Sequence, residues 1–205
     1  MESLGGRQTA SSGFNFTTAM RLLCADMVAR VPQLGHIDLT RVAISFAQTR
    51  RDQPHGVQAT LTPLRFEAGA LFTSRAGRHY TLERLFDGSG REYLYILNFY
   101  LPRFLNHTLV EKLTTVVHEL WHISPQFDGD VRRYSGRCYA HGPSQKQYDQ
   151  HVKKLAMSWL KQAPPERLYS FLQHSFVELQ QHFGQIYGVK VRSPKLVLAS
   201  AKNKR

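Results

Sequence analysis

Five residues, His118-Glu119-Leu120-Trp121-His122, spell the pattern HExxH at the end of an apolar run. Residues four apart in an α-helix lie on one face, so His118 and His122 can direct both imidazole rings at a single point. Glu119 then lies beside that point. Two histidines and a glutamate at this spacing are the metal ligands and the general base of zinc hydrolases. The pattern therefore predicts zinc bound by His118 and His122, with Glu119 as the general acid/base.

The pattern is rare by chance, and its context is helical. The chain of 205 residues contains ten histidines and eight glutamates, for which a random order gives about 0.02 occurrences. Thr108 and Glu111 form a T-x-x-E capping box, which predicts that a helix begins there. Apolar residues at helical spacing predict one buried flank: Val110, Leu113, Val117 and Leu120. The alternative is a core helix whose two histidines face a polar neighbour.

A catalytic zinc ion usually has three protein ligands and one open position. His141 is the first histidine after the motif, 19 residues beyond His122, and it precedes Gly142. The intervening segment is rich in Gly, Asp and Pro, which predicts a loop that folds back over the metal. We therefore expect His141 to be the third ligand. The sequence leaves five other candidates open: Asp128, Asp130, Cys138, Asp149 and His151.

The motif, followed by Tyr139-Ala140-His141-Gly142, resembles the HELxH…HG arrangement of SprT-like zinc metallopeptidases, including the compact phage metallopeptidases that share it. The resemblance covers residues 94–159. It implies a zinc metallopeptidase in which His118, His122 and His141 bind zinc and Glu119 is the catalytic acid/base. It also implies a protein or peptide substrate, and the family's action on DNA-associated proteins extends this expectation to proteins bound to nucleic acid.

The chain departs from this family in its cysteines. Cys24 and Cys138 are its only two, and they form no C-x-x-C pair. A zinc ribbon needs paired cysteines, so we expect no second, structural zinc ion.

Peptide hydrolysis also needs a donor that stabilises the oxyanion. The sequence does not select one among four residues near the motif: Tyr134, Arg137, Tyr139 and Tyr148.

Periodicity predicts an α+β fold. Together with the motif and the resemblance, it implies a zincin-like single domain with a small mixed sheet packed on the motif helix and further C-terminal helices. Residues 14–198 form this domain, between a flexible N-terminal arm over residues 1–13 and a basic tail over residues 199–205. Besides the motif helix, we expect helices over residues 17–31, 145–162 and 166–187. Strands are expected over residues 41–47, 57–66, 79–85, 92–100 and, as a short last strand, within 188–198. By analogy with zincins, residues 97–100 are expected to lie near the substrate.

Charge and cysteine content bear on partners and location. The chain has 27 Lys and Arg against 15 Asp and Glu, a formal net charge of +12. Such an excess favours non-specific contact with DNA through a basic surface. It also supports a second hypothesis, a basic nucleic-acid-binding module with a structural or vestigial metal site. Two cysteines, no signal peptide and no long apolar segment predict a cytoplasmic protein without a membrane span.

Overall fold

A mixed three-stranded sheet lies at the centre of the computed structural model, which describes residues 13–49, 55–134 and 144–199. Within these ranges the helices are α1 (Phe16–Arg30), α2 (Leu109–Trp121), α3 (Gln145–Lys161) and α4 (Phe176–Phe183). The strands are β1 (Phe14–Asn15), β2 (Val42–Gln48), β3 (Ala59–Pro63), β4 (Phe72–Arg75), β5 (Arg78–Leu82), β6 (Tyr95–Leu101), β7 (Ile186–Tyr187) and β8 (Leu196–Leu198). These elements form a mixed α+β single domain, as the sequence predicts at this level.

The central sheet has the order β2-β6-β3, in which β6 is parallel to β2 and antiparallel to β3. The apolar sequence of β6 suits this position, because a strand with neighbours on both edges exposes no backbone groups to water. Tyr95, Leu97, Phe99 and Leu101 are fully buried. The strand predicted over residues 92–100 is confirmed, with its ends shifted to Tyr95 and Leu101. From its end the chain passes through a short 3-10 turn into α2.

Helix α2 begins where the capping box predicts. The Thr108 backbone N–H donates to the Glu111 carboxylate over 2.9 Å, and the Glu111 N–H donates to the Thr108 hydroxyl over 3.3 Å. The apolar flank of α2 enters the main core together with residues of α1, α3 and the central sheet. Leu113, Val117 and Leu120 are fully buried, whereas Val110 is only half-buried. The helix that carries the motif is therefore fixed at its start and along one side.

The prediction of one helix over residues 166–187 is wrong. Two 3-10 turns, Glu166–Leu168 and Ser170–Gln173, precede the much shorter α4. Ser175 begins α4 with its own capping box, and Gly184, at a positive φ of 74°, ends it. Lys112 of α2 donates its ammonium hydrogens to the carbonyls of Leu172 and His174. These carbonyls therefore have partners outside their own segment.

The other predicted elements are confirmed with shifted ends. Helices α1 and α3 correspond to the segments predicted over residues 17–31 and 145–162, and strands β2, β3 and β5 to those over 41–47, 57–66 and 79–85. Only the last part of residues 188–198 is a strand, β8, which pairs antiparallel with β5. Strand β4, which the sequence analysis missed, pairs with β5 and completes a second sheet in the order β4-β5-β8.

Two of the predicted boundaries concern segments outside the described ranges. The arm predicted over residues 1–13 falls outside them except for Gly13, and the tail predicted over 199–205 falls outside them except for Ala199. None of the helices in the described ranges combines the length and apolar character needed to cross a membrane.

Candidate functional site

The two histidines of the motif converge at the C-terminal end of α2. His118 lies in the last turn, and His122 is the C-cap residue, whose φ of −67° and ψ of −18° continue the helical path. Their Nε2 atoms are 3.1 Å apart, and their ring centroids are 4.8 Å apart. The structure thus brings together the two ligands that the motif predicts.

The separation of 3.1 Å has two physical explanations. One is a hydrogen bond in which one Nε2–H donates to the other, unprotonated Nε2. The other is that both lone pairs face the place of a shared cation. Two nitrogens that bind one tetrahedral zinc ion at about 2.1 Å lie about 3.4 Å from each other. The two imidazoles therefore have both the chemistry and the spacing of a zinc-ligand pair.

Glu119 is nearly buried, with 8% of its surface exposed, and it borders the same space. Burial raises the pKa of this carboxyl to about 7, and a hydrogen bond from the Leu61 backbone N–H acts in the opposite direction. A cation beside the carboxyl would also lower its pKa. A carboxyl group in this position can accept a proton from a water molecule in the cleft and return it to another group.

A cleft of about 880 Å³ opens beside the motif. Its walls are the end of α2, strand β3, the β4–β5 hairpin and the segment Asp130–Arg133. A smaller groove of about 280 Å³ lies towards Gly56 and Thr114, and it shares Ala59, His118 and Glu119 with the larger cleft. Glu119 therefore borders both spaces.

Strand β3 borders this cleft along an edge that pairs with no other strand in the described ranges. Residues 97–100, which the sequence analysis placed near the substrate by analogy, belong to β6. This strand is hydrogen-bonded on both edges, so it cannot pair with a further extended chain. The edge position belongs to β3, which sequence reasoning placed in the sheet without identifying its neighbours.

The third predicted ligand, His141, lies outside the described residues, as does the alternative Cys138. Within the described ranges no third His, Cys, Asp or Glu forms a metal-binding group with the motif. One of the alternatives, Asp130, has other partners. Asp130 accepts hydrogen bonds from Arg133 at 2.8 Å and from the Ala68 N–H at 3.1 Å.

The remaining alternatives are also engaged elsewhere. Asp128 accepts a hydrogen bond from the Asp130 backbone N–H, and Asp149 accepts one from the Gln145 side chain. His151 lies against Trp121, with ring centroids 4.6 Å apart.

The described part of the segment after the motif, residues 123–134, folds back against the end of α2. The Arg132 backbone N–H donates to the His122 carbonyl over 2.6 Å, and the Arg132 side chain donates to the Trp121 carbonyl over 2.8 Å. Both carbonyls belong to the last turn of α2, where backbone oxygens lack helical partners. Sequence reasoning missed this role of Arg132, because an arginine in a loop carries no local signal for it.

Neither described tyrosine among the predicted oxyanion donors lines the cleft. The Tyr134 hydroxyl accepts a hydrogen bond from Trp121 Nε1 over 2.9 Å. Tyr148 lies behind the histidines, with its hydroxyl 3.4 Å from the His118 carbonyl and 3.5 Å from His122 Nδ1. Burial raises the pKa of the Tyr148 phenol, so this group keeps its proton at neutral pH. The other two candidates, Arg137 and Tyr139, lie outside the described residues.

Three arginines line the cleft: Arg65, Arg75 and Arg133. Arg65 forms a salt bridge with Glu92 at 2.7 Å, and Arg133 forms one with Asp130 at 2.8 Å. Their charges are thus largely balanced by neighbours. Two of the three arginines that line the cleft therefore have an acidic partner.

Comparisons of the chain with protein-family models, curated proteins and solved structures gave no match.

Proposed function

We propose that this chain is a zinc-dependent metallopeptidase with a zincin-like arrangement, of the kind that its resemblance to SprT-like peptidases implies. The observation that carries the proposal is the convergence of His118 and His122 beside the buried carboxyl of Glu119, with their Nε2 atoms 3.1 Å apart. His118, His122 and His141 would hold the ion. Three neutral imidazoles would leave its full charge available for chemistry.

When bound, zinc would lower the pKa of a coordinated water towards about 7 and polarise a carbonyl group. Glu119 accepts the proton of the attacking water and then donates it to the leaving amine. The position of the nearly buried Glu119 carboxyl on the wall of the cleft supports this role.

The edge of β3 that pairs with no strand in the described ranges supports a peptide as the substrate. An extended backbone can add to an exposed strand edge through main-chain hydrogen bonds. Strand β3 offers such an edge along the wall of the cleft that contains Glu119. HExxH alone does not name the bond that is cut, so this edge is what favours peptide hydrolysis over other zinc chemistry.

We further propose a cytoplasmic enzyme that works near DNA and on proteins bound to it. The net charge of +12 supports the contact with DNA. The same charge favours the second candidate function, a nucleic-acid-binding module with a structural or vestigial metal site. The variant Glu119→Gln distinguishes the two functions. It should abolish cleavage by a peptidase, whereas it should leave the activity of a nucleic-acid-binding module unchanged.

The first experiment is the zinc content of purified wild-type protein, His118→Ala and His141→Ala at neutral pH. We expect about one zinc ion per wild-type chain and much less in both variants. His151→Ala is the matched control, because His151 packs on Trp121, and it should retain the metal. Wild-type protein that cannot be loaded with zinc would overturn the proposal and leave nucleic-acid binding as the function to test.

A further inference from the structure

Tyr148 contacts both histidines of the motif from behind. It is 5% exposed, and it lies on α3, which packs along α2. Its ring is stacked on that of His122, with an interplanar angle of 27° and centroids 5.6 Å apart. It meets the His118 ring edge-on, at 5.0 Å. One side chain thus limits the rotation of both imidazoles.

The Tyr148 hydroxyl adds a directional constraint. A phenol has one hydrogen to donate and lone pairs to accept with. The Tyr148 hydroxyl donates to the His118 carbonyl, which can only accept, over 3.4 Å. The contact with His122 Nδ1, at 3.5 Å, is then a hydrogen bond only if Nδ1 carries the proton and donates to the phenol oxygen.

That arrangement determines whether the opposite ring nitrogen of His122, Nε2, carries a proton. A neutral imidazole carries one proton, so His122 with a proton on Nδ1 carries none on Nε2. Nε2 is the atom that faces His118 Nε2 at 3.1 Å. Histidines that bind metals usually donate their other N–H to an oxygen, which sets the tautomer and the ring orientation.

We infer that Tyr148 is a positioning residue that keeps His122 in the tautomer able to bind a metal ion through Nε2. The inference rests on the proposed function for the identity of the metal. The first turn of α3 holds Tyr148 in this position. The Ser144 side chain accepts the Gln147 N–H over 3.3 Å, and the Ser144 carbonyl accepts the Tyr148 N–H over 3.1 Å, so this first turn is held in place.

The test is the zinc affinity of Tyr148→Phe, measured by competition with a chelator at neutral pH. The substitution keeps the ring and removes only the hydroxyl. We expect zinc to bind about 10- to 100-fold more weakly. The matched control is Tyr134→Phe, which removes a nearby hydroxyl that is bonded to Trp121 and should leave the affinity unchanged. Equal affinities of Tyr148→Phe and the wild type would overturn the inference.

A second measurement does not depend on zinc binding. Nitrogen-15 NMR of the histidine rings in zinc-free protein reports which nitrogen carries the proton. We expect His122 to carry it on Nδ1 in the wild type and Tyr134→Phe, and to become a mixture of tautomers in Tyr148→Phe. Wild-type His122 protonated on Nε2 would contradict the role of Tyr148. Wild-type protein that shows the Nδ1 tautomer but binds no zinc would contradict the proposed function alone.

Discussion

Arg132 lies over the face of Trp121, with its guanidinium carbon 3.9 Å from the centre of the indole ring. The same side chain donates to the Trp121 carbonyl, and its backbone N–H donates to the His122 carbonyl. These contacts attach the returning segment to the turn that carries the motif. They connect the stability of this segment to the geometry of the site.

Replacing Arg132 with alanine should lower the free energy of unfolding by about 1–2 kcal/mol. The variant loses a cation–π contact and a charged hydrogen bond, each worth about 1 kcal/mol. Urea denaturation followed by tryptophan fluorescence measures the change. Arg78→Ala is the control, because Arg78 is exposed on β5. If both variants unfold at the same urea concentration, the contact with Trp121 contributes no stability.

Replacing Lys112 with methionine should destabilise the protein by about 1–2 kcal/mol, although the side chain is only 1% exposed and methionine is apolar. The substitution leaves the carbonyls of Leu172 and His174 without the ammonium group that donates to them at 2.9 and 2.8 Å. Thermal unfolding measures the loss. Lys154→Met, at an exposed position of α3, should unfold at the wild-type temperature. A stabilised Lys112→Met would mean that burying the charge costs more than these hydrogen bonds contribute.

The ionised Glu92 carboxylate should stabilise the folded protein, and this contribution should be lost in acid. Hydrogen bonds from Arg84 and Arg65 and the charges of both hold the pKa of this carboxyl at about 2, well below its usual 4.5. The folded state therefore favours the carboxylate, and its contribution is complete above about pH 4.5. It is lost as the pH falls from there through about 2. We expect about 2 kcal/mol from this group.

The measurement for Glu92 is the free energy of unfolding as a function of pH, in the wild type and Glu92→Gln. The variant should be less stable at pH 7, and the difference should shrink between pH 4.5 and 2. A constant difference across this range would show that the stability of Glu92 does not depend on its charge. Asp87→Asn, which removes an exposed turn carboxylate, is the comparison for acid effects in the same loop.

Glu119→Gln should abolish cleavage and keep the metal. Glutamine has a similar shape but cannot accept a proton, so the rate of hydrolysis of an unfolded protein should fall at least about 100-fold. Zinc content should stay at the wild-type level. Glu67→Gln is the control, since Glu67 also lines the cleft but lies outside the motif. Cleavage by Glu119→Gln at the wild-type rate would remove Glu119 from the mechanism.

The parts of this fold that follow from local sequence are the ones that the sequence predicts well. Thr108 and Glu111 are three residues apart, and their capping box specifies the start of α2 from neighbouring residues alone. The convergence of His118 and His122 also follows from helical spacing. Both predictions depend on contacts within one or two turns of a helix.

The parts that failed depend on contacts between distant segments. The apolar periodicity of residues 166–187 suggests one helix, but the chain turns at Leu172 and His174, which are bound by Lys112 some sixty residues earlier. Likewise, the strand character of β6 is visible in its sequence, whereas its central place depends on pairing with β2 and β3. The position of Tyr148 behind the histidines is set by the packing of α3 on α2 and has no local signal.

The edge of β3 that pairs with no strand in the described ranges also bears on which proteins this cleft would admit. A backbone can pair with that edge only if its own N–H and C=O groups are not already committed to neighbours in a helix or sheet. Under the proposed function, a compact substrate would have to unravel locally before it could be cut. Local unfolding of the target, more than the identity of its side chains, would then control the rate at which it is degraded.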